Sequence, residues 1–181
     1  MSSHAPSLES FLKAPIFRGL NEAECRQLAA IATVEEFSPG KTILRQGKSS
    51  QNLWVVLEGI CEVVKHNGHG ADAEEAIVLA VLEPYNQFGE MSFLKPAPHS
   101  ASVRAKTAVR LLRIKRSHFD KLVQDKVWGS CKVTQNIVES LSERLRRMDE
   151  WVAELLAEEP PKRNVPEWHR FRDRLFDGWK L

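Results

Sequence analysis

The sequence predicts a mainly β fold, a sandwich or barrel of short strands with helices on either side. Between Val34 and about Ile114, short runs rich in Val, Ile, Leu and Phe are separated by Pro39-Gly40, Gln46-Gly47, Glu58-Gly59 and Asn67-Gly68. Many short strands joined by regular turns close on themselves as a sandwich or barrel. Before and after this stretch the apolar residues recur at helical spacing instead.

Taken in order, "NEAECRQLAAIA" opens with Asn21 as an N-cap and carries Glu24 at the third helical position, a variant of the capping box. Leu28, Ile31 and Ala32 fall on one face of that helix. "LWVVLEGICEVVKHNGHGADAEEAIVLAVL" reads as two strands joined by a polar hairpin, because Asn-Gly supplies the positive φ angles of a tight turn. From about Lys126 the pattern is helical again. Val138, Leu141, Leu145, Met148, Val152 and Leu155 are spaced alternately three and four residues apart, the seam of a two-stranded coiled coil. Charged residues such as Glu143, Arg144, Arg146, Arg147, Asp149 and Glu150 fill the other positions, so the helix is expected to pair with its own copy. "EEPPKRN" then stops it, since tandem prolines remove backbone donors and exclude the helical conformation just before them. In the tail, Trp168, Phe171, Leu175 and Trp179 share one side of a short amphipathic helix, with Arg170, Arg172, Arg174 and Lys180 among them; docking on its own domain is expected. The expected organisation is therefore N-terminal helices and a roll over 1–126, a long dimerisation and lid helix over 127–158, and a proline linker with a tail helix over 159–181.

The 181 residues suit one domain of about 100–150 residues with an appendage. A formal net charge of +2 lacks the strong basic bias of a chain built around a polyanion. Three cysteines without CxxC spacing, Cys25, Cys61 and Cys131, point to reduced thiols. With neither a leader pattern nor a run of about 20 apolar residues, the expectation is a soluble cytoplasmic protein without a membrane span.

The landmarks "FRGLNEAECRQLA", "FSPGKTILRQGKSSQNLWVVLEGICEVV", "VLAVLEPYNQFGEMSFL" and "SASVRAKTAVRLLRIKRSHFDKL" occur in one order and end in a long helix. Over roughly Phe17 to Val152 this order resembles the cyclic nucleotide-binding domain family, which includes bacterial catabolite activator proteins and the regulatory subunits of cyclic-nucleotide-dependent kinases. The resemblance implies a β-roll, a jelly-roll-like double-stranded β-helix, and a regulatory role with cAMP or cGMP as ligand and no obligatory cofactor. It also places a phosphate-binding cassette on Phe88, Gly89, Glu90, Met91, Ser92, His99, Ser100 and Ala101. Gly89 lets the backbone approach a ligand, and the helix starting near Glu90 points unsatisfied N–H groups at an anion. In the family, the glutamate matching Glu90 accepts a hydrogen bond from the ribose 2′-hydroxyl. The arginine nine positions later neutralises the cyclic phosphate.

Here "PHSA" puts His99 at that arginine position, with the Ser100 hydroxyl beside it. Arginine is charged at every relevant pH and offers a rigid fork, whereas histidine has a reference pKa near 6.5 and two ring nitrogens. Loss of one charge-assisted hydrogen bond, about 1.5–3 kcal/mol, weakens binding roughly ten- to a hundred-fold. The expectation is weak binding that strengthens from pH 8 to 6. The alternative is a relic cassette in which Glu90 and His99 pair and the protein is a dimeric scaffold. By the same resemblance Met148 and Asp149 on the long helix are candidate contacts for the base.

His66 and His69 form an HxxH pair in a polar loop with no third ligand adjacent, so a solvated loop is expected there and no metal. A cupin-like enzyme would need several His and Glu converging inside the roll, and no nucleophile–base pair stands out, so no catalytic residue is expected. Arg104, alternating with Val103, reads as a salt-bridge residue. About twenty residues follow the prolines, too few for the winged helix-turn-helix of the family's transcription factors. Direct DNA binding is therefore not expected, and a downstream protein partner of unknown identity is.

Overall fold

The structure, a computed structural model, describes residues 8–66 and 76–158. The tail residues Trp168, Phe171, Leu175 and Trp179, with their basic neighbours, and His69 and Asn67-Gly68 lie outside the described residues. Two compact units are formed, residues 1–138 and residues 139–181.

In the first unit α1 (Leu8–Lys13) and a 3-10 turn (Pro15–Phe17) lead into α2 (Glu22–Ile31). The capping box is formed: the Asn21 side-chain oxygen accepts the Glu24 N–H at 2.9 Å, and a Glu24 carboxylate oxygen accepts the Asn21 N–H at 2.8 Å. Leu28 is buried as its helical spacing requires. Ala32, expected on the same helical face, instead begins β1 (Ala32–Phe37). Thr33 and Val34 follow it directly, and branched side chains favour the extended strand that pairs with β8.

Among the described residues eight strands follow: β1, β2 (Thr42–Leu44), β3 (Asn52–Glu58), β4 (Cys61–His66), β5 (Ala76–Leu82), β6 (Gln87–Phe88), β7 (Ser102–Ala105) and β8 (Val109–Lys115). They form two antiparallel sheets, ordered β1-β8-β3-β6 and β2-β7-β4-β5. Trp54, Val56, Phe88 and Leu111 of the first sheet meet Leu44, Cys61, Val103 and Ala105 of the second in one apolar cluster. The opposite face of β3 and β8, with Leu53, Val55, Leu112 and Ile114, is equally buried beside the helices. Burial on both faces is why "LWVV" and "RLLRI" read as near-continuous apolar runs and not as alternations.

The segment expected to be two strands is three. Gly59 separates β3 from β4 with φ near +81°, and a Cβ there would lie 2.2 Å from the Ala108 carbonyl oxygen. The chain turns at a point where only glycine fits, so β3 joins one sheet and β4 the other. The hairpin begins beyond this turn, between β4 and β5. A further helix, α4 (Arg116–Gln124), lies between β8 and the long helix and buries Phe119 and Leu122, three residues apart.

α5 runs from Trp128 to Glu158. Within the first unit it buries Ser130, Val133 and Ile137, and its Asn136 amide donates to the Ile16 and Arg18 carbonyls at 2.9 and 3.0 Å. In the second unit Leu145, Met148 and Trp151 are more than half exposed in the single chain. None of them is packed into a core of this copy.

Candidate functional site

β6 carries Phe88 into the core, where its ring stacks on Trp54 with centroids 6.1 Å apart. Gly89 then takes a left-handed conformation, φ near +82°, and a Cβ at this position would stand 2.5 Å from the Asn52 carbonyl oxygen. Glycine is required by both the angle and the space. The chain enters α3 (Glu90–Leu94), which buries Glu90, Ser92 and Phe93 and exposes Met91. Arg116 fixes the far end of this helix: its guanidinium donates to the Phe93 carbonyl at 2.8 Å and pairs with Asp120 at 2.7 Å. The loop after α3 brings His99 inward, and β7 begins three residues later.

His99 is 8% exposed. Its backbone is bracketed by the β2–β3 loop: its N–H donates to the Lys48 carbonyl and its carbonyl accepts the Gly47 N–H, both at 2.9 Å. Each ring nitrogen meets a serine, Nε2 at 2.8 Å from Ser50 Oγ and Nδ1 at 3.0 Å from Ser92 Oγ. The Ser92 hydroxyl donates its proton to the Ala97 carbonyl at 3.1 Å. It therefore accepts from Nδ1–H, leaving Nε2 to accept the Ser50 proton. Burial pushes the His99 pKa below its ordinary value, because an imidazolium here would be poorly solvated. His99 is thus a buried imidazole with each ring nitrogen on a serine hydroxyl. The Glu90–His99 pairing expected of a relic cassette is replaced by two serines.

The expected residues therefore come together: Phe88, Gly89, Glu90, Met91 and Ser92 form strand, turn and helix, and His99, Ser100 and Ala101 return to β7. Ser100 is exposed and Ala101 half-buried. Met148 and Asp149 lie on α5 in the second unit. Sequence reasoning missed Ser50, which is 49 residues from His99 and meets it through the fold alone. It also missed Gln46, whose side-chain amide donates to the His66 carbonyl at 3.2 Å and accepts the His66 N–H at 3.0 Å. That amide ties the loop beside His99 to the end of β4. An open cleft of about 410 Å³ lined by Ser49, Ser50, Gln51, Pro96, Ala97 and Pro98 adjoins the Ser50–His99 contact.

Other sequence readings find their places around this site. Arg104 donates to Glu62 from Nε and Nη2 at 3.1 and 2.9 Å, and Lys106 reaches the other carboxylate oxygen at 3.0 Å. The Lys106 and Arg104 hydrogen bonds hold the Glu62 carboxyl below its usual range. His66 is the exposed last residue of β4 and not part of the loop. Cys25, Cys61 and Cys131 are free thiols, the first two buried. Among the described residues there is no cluster of three or more His, Cys, Asp or Glu placed to hold a metal, and no helix long and apolar enough to cross a membrane.

The family model for the cyclic nucleotide-binding domain matches residues 34–126, from β1 to just past α4. The chain is 31% identical over 134 residues to the potassium channel SKOR of Arabidopsis thaliana, covering 74% of this chain and 16% of the channel. It is 25% identical over 155 residues to a CRP-like cAMP-activated global transcriptional regulator of Mycobacterium tuberculosis, covering 86% of this chain and 66% of the regulator. Among solved structures, the catabolite activator protein of Thermus thermophilus superposes with a TM-score of 0.68 at 29% identity, over 78% of this chain and 63% of that one. With the roll, the Gly89 turn and the cassette helix in the family's order, the chain belongs to the cyclic nucleotide-binding domain family.

Proposed function

We propose that this chain is a regulatory, ligand-sensing module that binds cAMP or cGMP weakly in the roll. What supports this reading is the turn at Gly89 leading into a helix that buries Glu90, with His99 buried beside it and its pKa pushed down by that burial; by resemblance His99 takes the place of the family's arginine. Glu90 takes the ribose 2′-hydroxyl, the backbone around Gly89 and Met91 meets the phosphate, and Ser100 adds a hydroxyl compatible with either base. Support for the ligand class comes from the mycobacterial relative, which is cAMP-activated by name, and from kinase regulatory subunits described as cAMP-dependent, such as that of Yarrowia lipolytica. Two copies associate through the 138–155 seam of α5, whose Val138, Leu145 and Met148 are exposed in the single chain. Met148 and Asp149 are the candidate lid contacts, and output passes to a protein partner. The working location is the cytoplasm.

Calorimetric titration of the intact protein with cAMP and cGMP, repeated with His99→Arg, tests the ligand. Weak binding that tightens roughly ten-fold or more at pH 8 is expected, since a bidentate charge-assisted contact replaces a neutral ring. Sedimentation of Leu141→Glu/Leu145→Glu tests the seam, with monomers expected. A second reading, a scaffold that has kept the fold and lost the ligand, is favoured by the fact that both His99 nitrogens are satisfied without one. Absence of binding in both proteins would select it.

A further inference from the structure

We propose that Ser50 is an acyl-accepting nucleophile with His99 as its base, so that this chain also hydrolyses small uncharged carboxylic esters. The two residues are 49 positions apart in sequence and are brought together by the fold, with Ser50 Oγ 2.8 Å from His99 Nε2. A hydroxyl within hydrogen-bond reach of an imidazole that a third group orients is the arrangement that activates a serine. Here the third group is Ser92. Its own proton goes to the Ala97 carbonyl at 3.1 Å, so its oxygen takes Nδ1–H at 3.0 Å and the Nε2 lone pair is left facing Ser50. Burial lowers the His99 pKa, which keeps that lone pair free of a proton at neutral pH. The His99 backbone is held on both sides, by the Gly47 N–H and the Lys48 carbonyl, so the ring is presented to Ser50 from a fixed frame.

Ser50 is half-buried and lines the open cleft of about 410 Å³. Pro96, Ala97 and Pro98 line the same cleft and supply its apolar side, while Ser49 and Gln51 flank the nucleophile. All six lining residues are uncharged, which sets the substrate class: a neutral ester whose short acyl chain rests on the prolines. In acylation the Ser50 oxygen bonds to the ester carbonyl carbon as its proton passes to His99 Nε2. The ester C–O bond then breaks, and the leaving alcohol takes that proton. Water repeats the sequence on the acyl-serine, giving a proton to Nε2 and its oxygen to the carbonyl carbon, and Ser50 departs with its proton restored. Ester and water become acid and alcohol. Ser92 offers Nδ1–H an oxygen without a negative charge, so the imidazolium formed in each step is weakly compensated. Esters with good leaving groups, such as aryl esters, are therefore the favoured substrates.

The test treats the intact protein at neutral pH with p-nitrophenyl acetate, following release of p-nitrophenolate by absorbance, and with a fluorophosphonate probe, locating the modified residue by peptide mass spectrometry. Release above the solvent rate and modification of Ser50 are expected. Both should vanish in Ser50→Ala and fall roughly a hundred-fold or more in His99→Gln. Ser92→Ala should slow release about ten-fold, and Ser92→Thr, which keeps the oxygen, should restore it. Absence of both release and modification overturns the inference. So does modification of Ser49 or Cys131 with none at Ser50, or release that is unchanged in Ser50→Ala. Equal modification of Ser50 in folded His99→Gln also overturns it, because the serine would then react without its base. Should His99→Gln fail to fold, the Ser92 pair decides, since loss and rescue must appear in the release rate and not in stability alone. Cyclic-nucleotide binding is read separately by calorimetry, so failure here leaves the proposed ligand standing.

Discussion

The Lys132 ammonium lies 2.8 Å from Oε2 of Glu24, the same oxygen that accepts the Asn21 N–H of the capping box, and 2.9 Å from the Gly19 carbonyl oxygen. The residue that closes the α2 capping box is thus also the anchor for the beginning of α5. Its carboxyl is held below the ordinary range, first by the Lys132 hydrogen bond and then by the Asn21 backbone, against an opposing effect of burial. A depressed carboxylate contributes stability at neutral pH that is lost as pH falls below the unfolded value and through the folded one. Lys132→Met should cost about 1–3 kcal/mol in urea unfolding at pH 7, because the buried carboxylate loses its main donor. It should also flatten the loss of stability below the unfolded carboxyl value of 4.5. An unchanged acid slope would remove Lys132 from this role.

His99 gives a dependence of the same sign at higher pH. Burial lowers its folded pKa, while the unfolded chain takes up the proton near 6.5. The stability this group contributes is fully present above that value and declines as pH falls toward the folded pKa. Thermal unfolding of the unchanged protein and of His99→Gln from pH 8 to 5 should show a fall in Tm below about 6.5 that is steeper in the unchanged protein. Cyclic-nucleotide affinity should move the other way. It should rise with falling pH and go on rising below 6.5, because the free site resists protonation past the ordinary value.

Gly59 and Gly40 share a left-handed backbone, φ near +81° and +80°, but differ in surroundings. Alanine at Gly40 meets open space and carries the conformational penalty alone, about 1–2 kcal/mol. At Gly59 its Cβ would also strike the Ala108 carbonyl and Val109, the latter at 2.9 Å. Gly59→Ala should therefore destabilise the roll by several kcal/mol, roughly twice the Gly40→Ala effect or more, measured as the shift in urea midpoint. Equal shifts would mean that the strand crossing does not depend on the close approach.

The three thiols should separate cleanly on alkylation. Cys61 sits in the roll core with its pKa pushed up to about 11 by burial, and burial also raises that of Cys25. The thiolate is the reactive form, so both should resist iodoacetamide in the folded protein. Cys131 is exposed on α5. Mass spectrometry after brief labelling should find one modified cysteine natively, Cys131, and three in denaturant.

The sequence by itself determined the features that depend on near neighbours. The Asn21–Glu24 box closes within one helical turn, the positive-φ turns at Gly40 and Gly59 need residues that tolerate such angles, and the spacing from Val138 to Leu155 records a helix with one apolar stripe. The family order of the cassette was legible too, as was the pairing role of Arg104, since period-two alternation puts it on the face away from the core. Boundaries were less secure: Ala32 fits a helical face by spacing but pairs with Ile114 across a sheet, and the three-residue spacing of Phe119 and Leu122 is too short a signal to separate α4 from the strand before it. Only the tertiary structure decided what surrounds His99. Ser50 reaches it from a loop 49 residues earlier, and the charge of the ring depends on burial and on which way two hydroxyl protons point. Those quantities are set by long-range packing, and local sequence does not encode them.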